Sequence, residues 1–210
     1  MAGAHHSVTF SSPLNPVGYP GWDELVSAHP GHSIFHGAAW AAALQGTYDF
    51  KPVYLTAAGA GGKASILPLM EVDSWLTGRR GISLPFTDEC EPLASDDATA
   101  RKLMESAMEL GKARGWKSIE WRGGRKFFAG APVSLAFYGH ELELDPDPSL
   151  MFSRLESSVR RAVRKGEKCG VRVGIAHDLE AMKIFYALQC KTRRKHGLPP
   201  QPFAFFQNIF

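Results

Sequence analysis

The 210 residues carry a formal net charge of +3, with 44% hydrophobic and 21% charged residues, an ordinary globular balance that excludes a wholly disordered chain. Apolar runs such as residues 66–70 fall far short of the roughly 18 residues a membrane helix needs, and residues 1–10 lack the basic start and apolar core of a secretory signal. The 3 cysteines, Cys90, Cys169 and Cys190, are too few and too scattered for a disulfide framework or a zinc site, so no metal and a reducing, cytoplasmic location are expected.

In chain order, residues 7–11 alternate weakly and are expected to form a first strand. Pro20, Gly21, Trp22 and Asp23 open a short helix to about residue 28, and the His29-Pro30-Gly31-His32 stretch breaks it as a turn. A second helix is expected over 36–45, with Gly46 near its end. Three strand-like runs follow, at 52–58, 64–74 and 81–86. The first two are joined by Gly59, Ala60, Gly61 and Gly62 in a hairpin-type connection, and the three together read as an antiparallel meander. Asp96 or Asp97 caps a helix to about residue 114. Its apolar positions Leu103, Met104, Ala107, Met108 and Leu110 keep helical spacing, and Gly115 ends it. Residues 117–122 and 135–144 are expected as strands, the latter alternating Leu142 and Leu144 against Glu141 and Glu143.

Asp145-Pro146-Asp147-Pro148 is the clearest boundary, and it separates residues 1–146 from 147–210 as two domains. A helix is expected over 149–169 with Gly170 as its stop, then a strand over 171–176. Asp178 caps a helix to about residue 196, and Gly197, Leu198, Pro199 and Pro200 break it. A last helix starts at Phe203. Its apolar residues Phe203, Phe205, Phe206, Ile209 and Phe210 need a surface to pack on, and one strand cannot supply a sheet. The expectation is therefore a chain cut short within its second domain, with an exposed apolar surface over 203–210 and, as a fragment, no activity of its own.

Charge is divided unevenly. Residues 1–148 hold 12 Lys/Arg against 17 Asp/Glu, a balance of −5, and residues 149–210 hold 12 against 4, a balance of +8. An anionic partner for the second part is one reading. A basic surface completed by acidic residues elsewhere is the other.

Three stretches resemble the FemAB-like family of the GNAT superfold. The first is Ser33-Ile34-Phe35-His36-Gly37-Ala38-Ala39-Trp40. The second is Leu67-Pro68-Leu69, followed by Gly78-Arg79-Arg80-Gly81-Ile82-Ser83-Leu84-Pro85-Phe86. The third runs through Val159-Arg160-Arg161-Ala162-Val163-Arg164-Lys165, Gly170-Val171-Arg172-Val173, Thr192-Arg193-Arg194-Lys195-His196-Gly197-Leu198-Pro199-Pro200, and Phe205-Phe206. The resemblance covers about residues 33–93 and 149–210. It implies an α+β fold of two GNAT-like domains, the first a mixed, mainly antiparallel sheet flanked by helices and the second incomplete in this chain. It also implies an acyltransferase that moves an acyl or aminoacyl group onto an amine in cell-envelope or polysaccharide biosynthesis, peptidoglycan cross-bridging included. The acyl donor would be an acyl-CoA, an acyl carrier or an aminoacyl-tRNA. The pyrophosphate loop by which GNAT enzymes hold coenzyme A, of the Arg/Gln-x-x-Gly-x-Gly/Ala type, is absent.

The candidate binding residues follow from charge and spacing. Arg160, Arg164 and Lys168 recur every four residues and so form one helical row, with Lys165 beside it. Like charges at that spacing repel, and a phosphate-bearing small-molecule or lipid-linked acceptor, or a tRNA end, would relieve the repulsion through paired hydrogen bonds to guanidinium. A solvated basic face is the plain alternative. Arg193 and Arg194, with Lys191 and Lys195, form a second cluster at a helix end, where cations also complement the helix dipole. Phe86, Thr87 and Asp88 leave a strand end into a loop, which the resemblance places on the substrate channel; an ordinary acidic loop is the alternative. His36 and His196 are isolated histidines with no partner pattern of a general base. No Gly-x-Ser-x-Gly, His-Glu-x-x-His or Walker loop is present, so hydrolase, zinc-protease and NTPase readings have no motif. The rivals are a basic nucleic-acid-binding module, against which stands the lack of aromatic residues interleaved with the basic ones, and a non-catalytic GNAT-like domain that binds a partner.

Overall fold

The structure is a computed structural model that describes residues 12–58, 64–94, 96–124, 127 and 133–210. The expected strand over 7–11 and the glycine connection at 59–62 lie outside the described residues. Two compact units form: one from Met1–Gly130 with Met182–Phe210, the other from Ala131–Ala181.

The first unit opens with helix α1 (Trp22–Ser27) and a single 3-10 turn (Ile34–His36), then α2 (Ala38–Tyr48). Gly46 does not end α2. It lies inside the helix because its bare face receives α7 (Phe203–Ile209): a Cβ there would stand 3.4 Å from the Asn208 amide, and Asn208 donates to Thr47 Oγ1 at 2.8 Å. Asp49, in the left-handed conformation at φ 56, terminates the helix instead.

Each long strand expected here is broken in two. The run 52–58 becomes β1 (Lys51–Pro52) and β2 (Leu55–Ala58), and 64–74 becomes β3 (Ala64–Leu67) and β4 (Met70–Ser74). Pro68, which has no N–H to offer a ladder, sits at the second break. β5 (Gly78–Ile82) starts earlier than the expected 81–86 and stops before Leu84 and Phe86, whose positive φ values of 60 and 65 leave the β region. β2 and β3 pair as an antiparallel hairpin, Leu55 opposite Leu67 and Ala58 opposite Ala64. The main sheet has the order β1-β4-β5-β6, antiparallel except that β6 (Ile119–Glu120) runs parallel to β5. The expected mixed, mainly antiparallel α+β architecture is what forms.

The parallel step needs a crossover, and α3 (Asp97–Ala113) supplies it. Asp96 caps α3 by accepting from the Thr99 N–H at 2.7 Å, as the sequence indicated. α3 buries Ala100, Leu103, Met104 and Ala107 against Val53, Leu55, Leu67 and Leu69. Trp116 is wedged where it turns back: a Cβ on Gly81 would run into its ring, and one on Gly111 would stand 2.9 Å from it. Its indole N–H donates to the buried Glu71 carboxylate at 2.6 Å. A second core gathers Trp22, Val26, Leu44, Tyr54, Ile66, Met70 and Leu84 with Phe205 of α7. The apolar surface expected at 203–210 is therefore partly covered, by α2 rather than by a second sheet: Phe205 is buried, and Ile209 and Phe210 remain exposed.

α6 (Leu179–Lys195) begins at Asp178, whose carboxylate accepts from the Ala181 N–H at 2.7 Å. In the Ala131–Ala181 unit the single helix expected over 149–169 is two helices, α4 (Pro148–Arg154) and α5 (Ser157–Lys168). Leu155 and Glu156 take extended ψ values of 149 and 148, and the Arg160 guanidinium donates to the freed Ser153 carbonyl at 2.6 Å. The strands expected at 135–144 and 171–176 do not form. Their alternating apolar residues, Leu142, Leu144, Val171 and Val173 among them, have no partner strand among the described residues and are exposed.

Candidate functional site

The strongest local construction is the loop from Ser83 to Cys90, between β5 and the descent to α3. Its backbone is forced twice through the left-handed region by residues that carry a Cβ, Leu84 and Phe86, on either side of buried Pro85. Such residues persist only where their surroundings fix them. Here the fixing contacts are explicit. Leu84 is fully buried, and the buried Thr87 hydroxyl donates to the Leu84 carbonyl at 2.9 Å. The Ser83 N–H donates to the Glu120 carbonyl at 3.0 Å, and the Cys90 N–H to the Arg122 carbonyl at 3.0 Å, so the loop continues the β5–β6 pairing at both ends. Arg122 closes it. Its backbone N–H donates to Ser83 Oγ at 2.7 Å, Nη1 donates to the Thr87 carbonyl at 2.7 Å, and Nε donates to Glu120 Oε1 at 2.8 Å.

What the loop presents is Phe86, 40% exposed. Its ring stacks on Tyr48 of α2 at 4.9 Å and meets Phe205 of α7 at 5.3 Å. Tyr48 also stacks on Phe50 at 5.1 Å, and Trp40 meets Phe205 at 6.0 Å. The result is an aromatic shelf with Asp88 and Glu89 exposed on the same loop. The Tyr48 hydroxyl and the Trp40 indole N–H are buried with no hydrogen-bond partner among the described residues. Burial, with Tyr186 nearby, raises the Tyr48 pKa, so at neutral pH this hydroxyl is a donor that no neighbour uses.

Behind the shelf lies a buried polar group that is structural. His36 Nδ1 accepts from the Ser33 N–H at 3.1 Å, which leaves the proton on Nε2 to donate to the Glu91 carbonyl at 2.9 Å. Burial lowers the His36 pKa against the raising effect of those two bonds, so the imidazole is neutral and committed at both nitrogens. Cys90 Sγ lies 3.5 Å from Nε2, but burial, aided by Glu91 and Glu89, pushes its thiol up to about 12. A thiol held protonated in this way is no nucleophile at neutral pH.

The residues singled out in the sequence fall into three places. Phe86 lies on the shelf, Asp88 is exposed beside it, and Thr87 is buried with its hydroxyl turned inward. Arg193 and Arg194 lie near the end of α6 in the same unit. The Arg193 guanidinium reaches Gln201 Oε1 at 3.4 Å while its Nε is buried and unpartnered, and Arg194 is exposed. Arg160, Arg164, Lys165 and Lys168 all lie on α5 in the Ala131–Ala181 unit, with Arg164 placed over the Phe152 ring at 5.5 Å. Sequence reasoning did not place Tyr48, Phe205 or Arg122 at the site. Tyr48 carries no local signal beyond being aromatic, and Phe205 stands in the sequence only as an apolar residue of the last helix and in the Phe205-Phe206 pair of the resemblance. Arg122 does carry a local signal, since it follows Trp121 and precedes the Gly123-Gly124 pair at a strand end.

No family model matches the sequence, and no curated protein matches it. Among solved structures, the chain is similar to that titled "Crystal structure of FemX", with a TM-score of 0.63 at 17% identity over 96% of this chain and 54% of that one. The likeness establishes a FemAB-like fold, and this chain spans about half the length of that structure. No helix among the described residues is long and apolar enough to cross a membrane.

Proposed function

We propose that this chain is part of a FemAB-like transferase of the GNAT superfold that moves an acyl or aminoacyl group onto an amine acceptor in cell-envelope or polysaccharide biosynthesis. The observation that carries the reading is the fold shared with FemX over 96% of the chain. In such a transfer the amine nitrogen attacks the carbonyl carbon, the bond to the thiol or tRNA hydroxyl breaks, and the leaving group takes up the proton the amine loses. Much of the rate then comes from holding amine and carbonyl in attack geometry, with donors placed for the developing oxyanion. Chemistry of this kind needs no charged nucleophile, which accords with the protonated Cys90 and the committed His36.

In this reading Phe86 and Asp88 line the substrate channel, with Thr87 fixing the loop from within. Arg160, Arg164, Lys165 and Lys168, and separately Arg193 and Arg194, hold phosphates of a nucleotide-linked or lipid-linked acceptor or of a tRNA end. The donor is an acyl-CoA, an acyl carrier or an aminoacyl-tRNA, and the reaction takes place in the cytoplasm. A domain plan of 1–146 and 147–210 belongs to the same proposal; the compact units are cut elsewhere because α7 packs on α2.

The test is direct. The complete natural protein is incubated with each donor class and with amine acceptors bearing a phosphate-linked sugar, and amide formation is followed by mass spectrometry. Amide product with at least one donor class is expected. A folded protein that forms no amide with any of them sinks the reading.

A further inference from the structure

We infer that Arg122 is a positioning residue, which holds the strained Phe86 loop in the conformation that presents the aromatic shelf to substrate. The inference rests on the reading of that loop as a wall of the substrate site.

The argument begins with the backbone. Leu84 and Phe86 have φ of 60 and 65. For residues that carry a Cβ this conformation is unfavourable relative to a relaxed one. Something must hold the loop against that tendency. Burial of Leu84 anchors its first half, and the Thr87 hydroxyl closes one turn on the Leu84 carbonyl at 2.9 Å. Leu84 packs into the core before Phe86, and the Thr87 bond stays within the loop, so neither ties the residues after Phe86 to the sheet. The Arg122 guanidinium does: Nη1 binds the Thr87 carbonyl at 2.7 Å while Nε binds Glu120 at 2.8 Å, so one planar group ties the residue after Phe86 to the end of β6. The backbone of Arg122 adds two more ties, to Ser83 Oγ at 2.7 Å and from the Cys90 N–H at 3.0 Å, one at each end of the loop. A lysine could reach one of the two side-chain acceptors but could not span both with a fixed fork.

Among the described residues the hydrogen bonds of this side chain go to Thr87 and Glu120 and not to the aromatic shelf, so it would act on substrate through where it puts Phe86. Phe86 in turn meets α2 and α7 through Tyr48 and Phe205. A loop that relaxes by one residue would withdraw that ring and open the stack.

The experiment reads the ring position without needing a substrate. The protein is labelled with fluorophenylalanine, and the Phe86 resonance is assigned by its loss in Phe86→Leu. Arg122→Met is expected to shift or broaden that resonance while the Phe35 resonance, whose ring meets Trp40 at 4.9 Å, stays in place. Glu120→Gln, which leaves Arg122 but weakens its orienting partner, is expected to give a smaller change of the same kind and covers the case in which Arg122→Met fails to fold. Arg122→Lys should restore the resonance only in part. In the active natural protein, Arg122→Met should raise KM by about tenfold, with a smaller change in kcat, as expected when ring and substrate are misplaced rather than chemistry removed. An unmoved Phe86 resonance in both Arg122→Met and Glu120→Gln overturns the inference, and so does a moved resonance with unchanged KM. A wild-type protein that transfers nothing overturns the functional reading instead, and the fluorine spectrum still decides whether Arg122 fixes the ring.

Discussion

Residues 83–90 and residues 133–144 are both irregular, and both carry large apolar side chains, yet one is fastened and the other is not. In the first, Leu84, Thr87 and Cys90 are buried, and backbone groups at each end bond to Glu120 and Arg122. In the second, Leu135, Phe137, Tyr138 and Leu142 are all more than two-thirds exposed. Hydrophobic content does not separate the two stretches. A neighbour does: β6 runs beside the first and supplies acceptors, a donor and an arginine. An irregular segment is ordered when its own polar groups find partners and one apolar residue finds a core.

The largest expected effect tests the buried anchor. Leu84→Ala should destabilise the chain by about 2–5 kcal/mol, the range for a fully buried leucine whose site cannot collapse. Leu144→Ala should change stability by less than about 0.5 kcal/mol, because its side chain is already in water. Urea denaturation of both variants measures the contrast, and similar midpoints would erase the distinction drawn between the two stretches.

Thr87→Val isolates the polar half of the fastening. It keeps the shape and removes the hydroxyl that serves the Leu84 carbonyl. Leaving that acceptor unpaired should cost about 1–3 kcal/mol. A neutral substitution would mean that burial and the Arg122 ties hold the loop without this hydroxyl.

A pH scan probes the polar group behind the shelf. The unfolded chain titrates His36 near the ordinary 6.5, and burial holds the folded value below that. Between those two values the unfolded chain binds a proton that the folded chain refuses. The contribution of His36 is therefore fully present above 6.5, declines as pH falls through the window, and levels off below the folded value. Ser33, Glu91, Cys90, His29 and His32 are the polar neighbours involved. The urea midpoint should drop on moving from about pH 8 to about pH 5, and His36→Gln should flatten that slope. An equal slope in the two proteins would assign the pH dependence to other groups.

Much of the fold was legible where its signals were local. Asp96 and Asp178 cap helices where they were expected to, since a carboxylate before an apolar-periodic run has a backbone donor within reach whatever the tertiary fold. The hairpin and the antiparallel meander followed from strand-like runs, the first two joined by a glycine-rich connection. Failures came where the outcome depended on a distant partner. Gly46 looked like a helix stop, but Asn208, 162 residues away, needs its bare face. Residues 135–144 end in a clear apolar–acidic alternation at 141–144, yet it is 64–67 that meet a strand. The α4–α5 break at Leu155 had no glycine or proline to announce it. Of the candidate site, Phe86 could be read from the end of a strand pattern. Its meeting with Tyr48, Phe205 and Arg122 could not, because packing brings those elements together from far apart in sequence.

The smallest expected effect on stability belongs to the basic row, and it separates a fastened arginine from a free one. Arg122 spends its donors on Thr87 and Glu120, whereas Arg164, on a helix with no buried residue, meets chiefly the Phe152 ring at 5.5 Å. An exposed cation–ring contact of this kind is worth about 0.5–1 kcal/mol. Removing Arg164 also relieves repulsion from Arg160 and Lys168, one turn away on either side. The two terms oppose each other, so Arg164→Ala should leave the unfolding midpoint almost unchanged. Binding is a different matter if this row holds phosphates of the acceptor. Loss of a charge-assisted pair should then weaken acceptor binding in the natural protein by about 1.5–3 kcal/mol. Added salt should weaken the wild type more than the variant, because the variant has one fewer charge to screen. Isothermal titration at two salt concentrations gives both numbers. Equal affinities and equal salt response would leave the row as a solvated face, and the phosphate role would then rest on Arg193 and Arg194 alone.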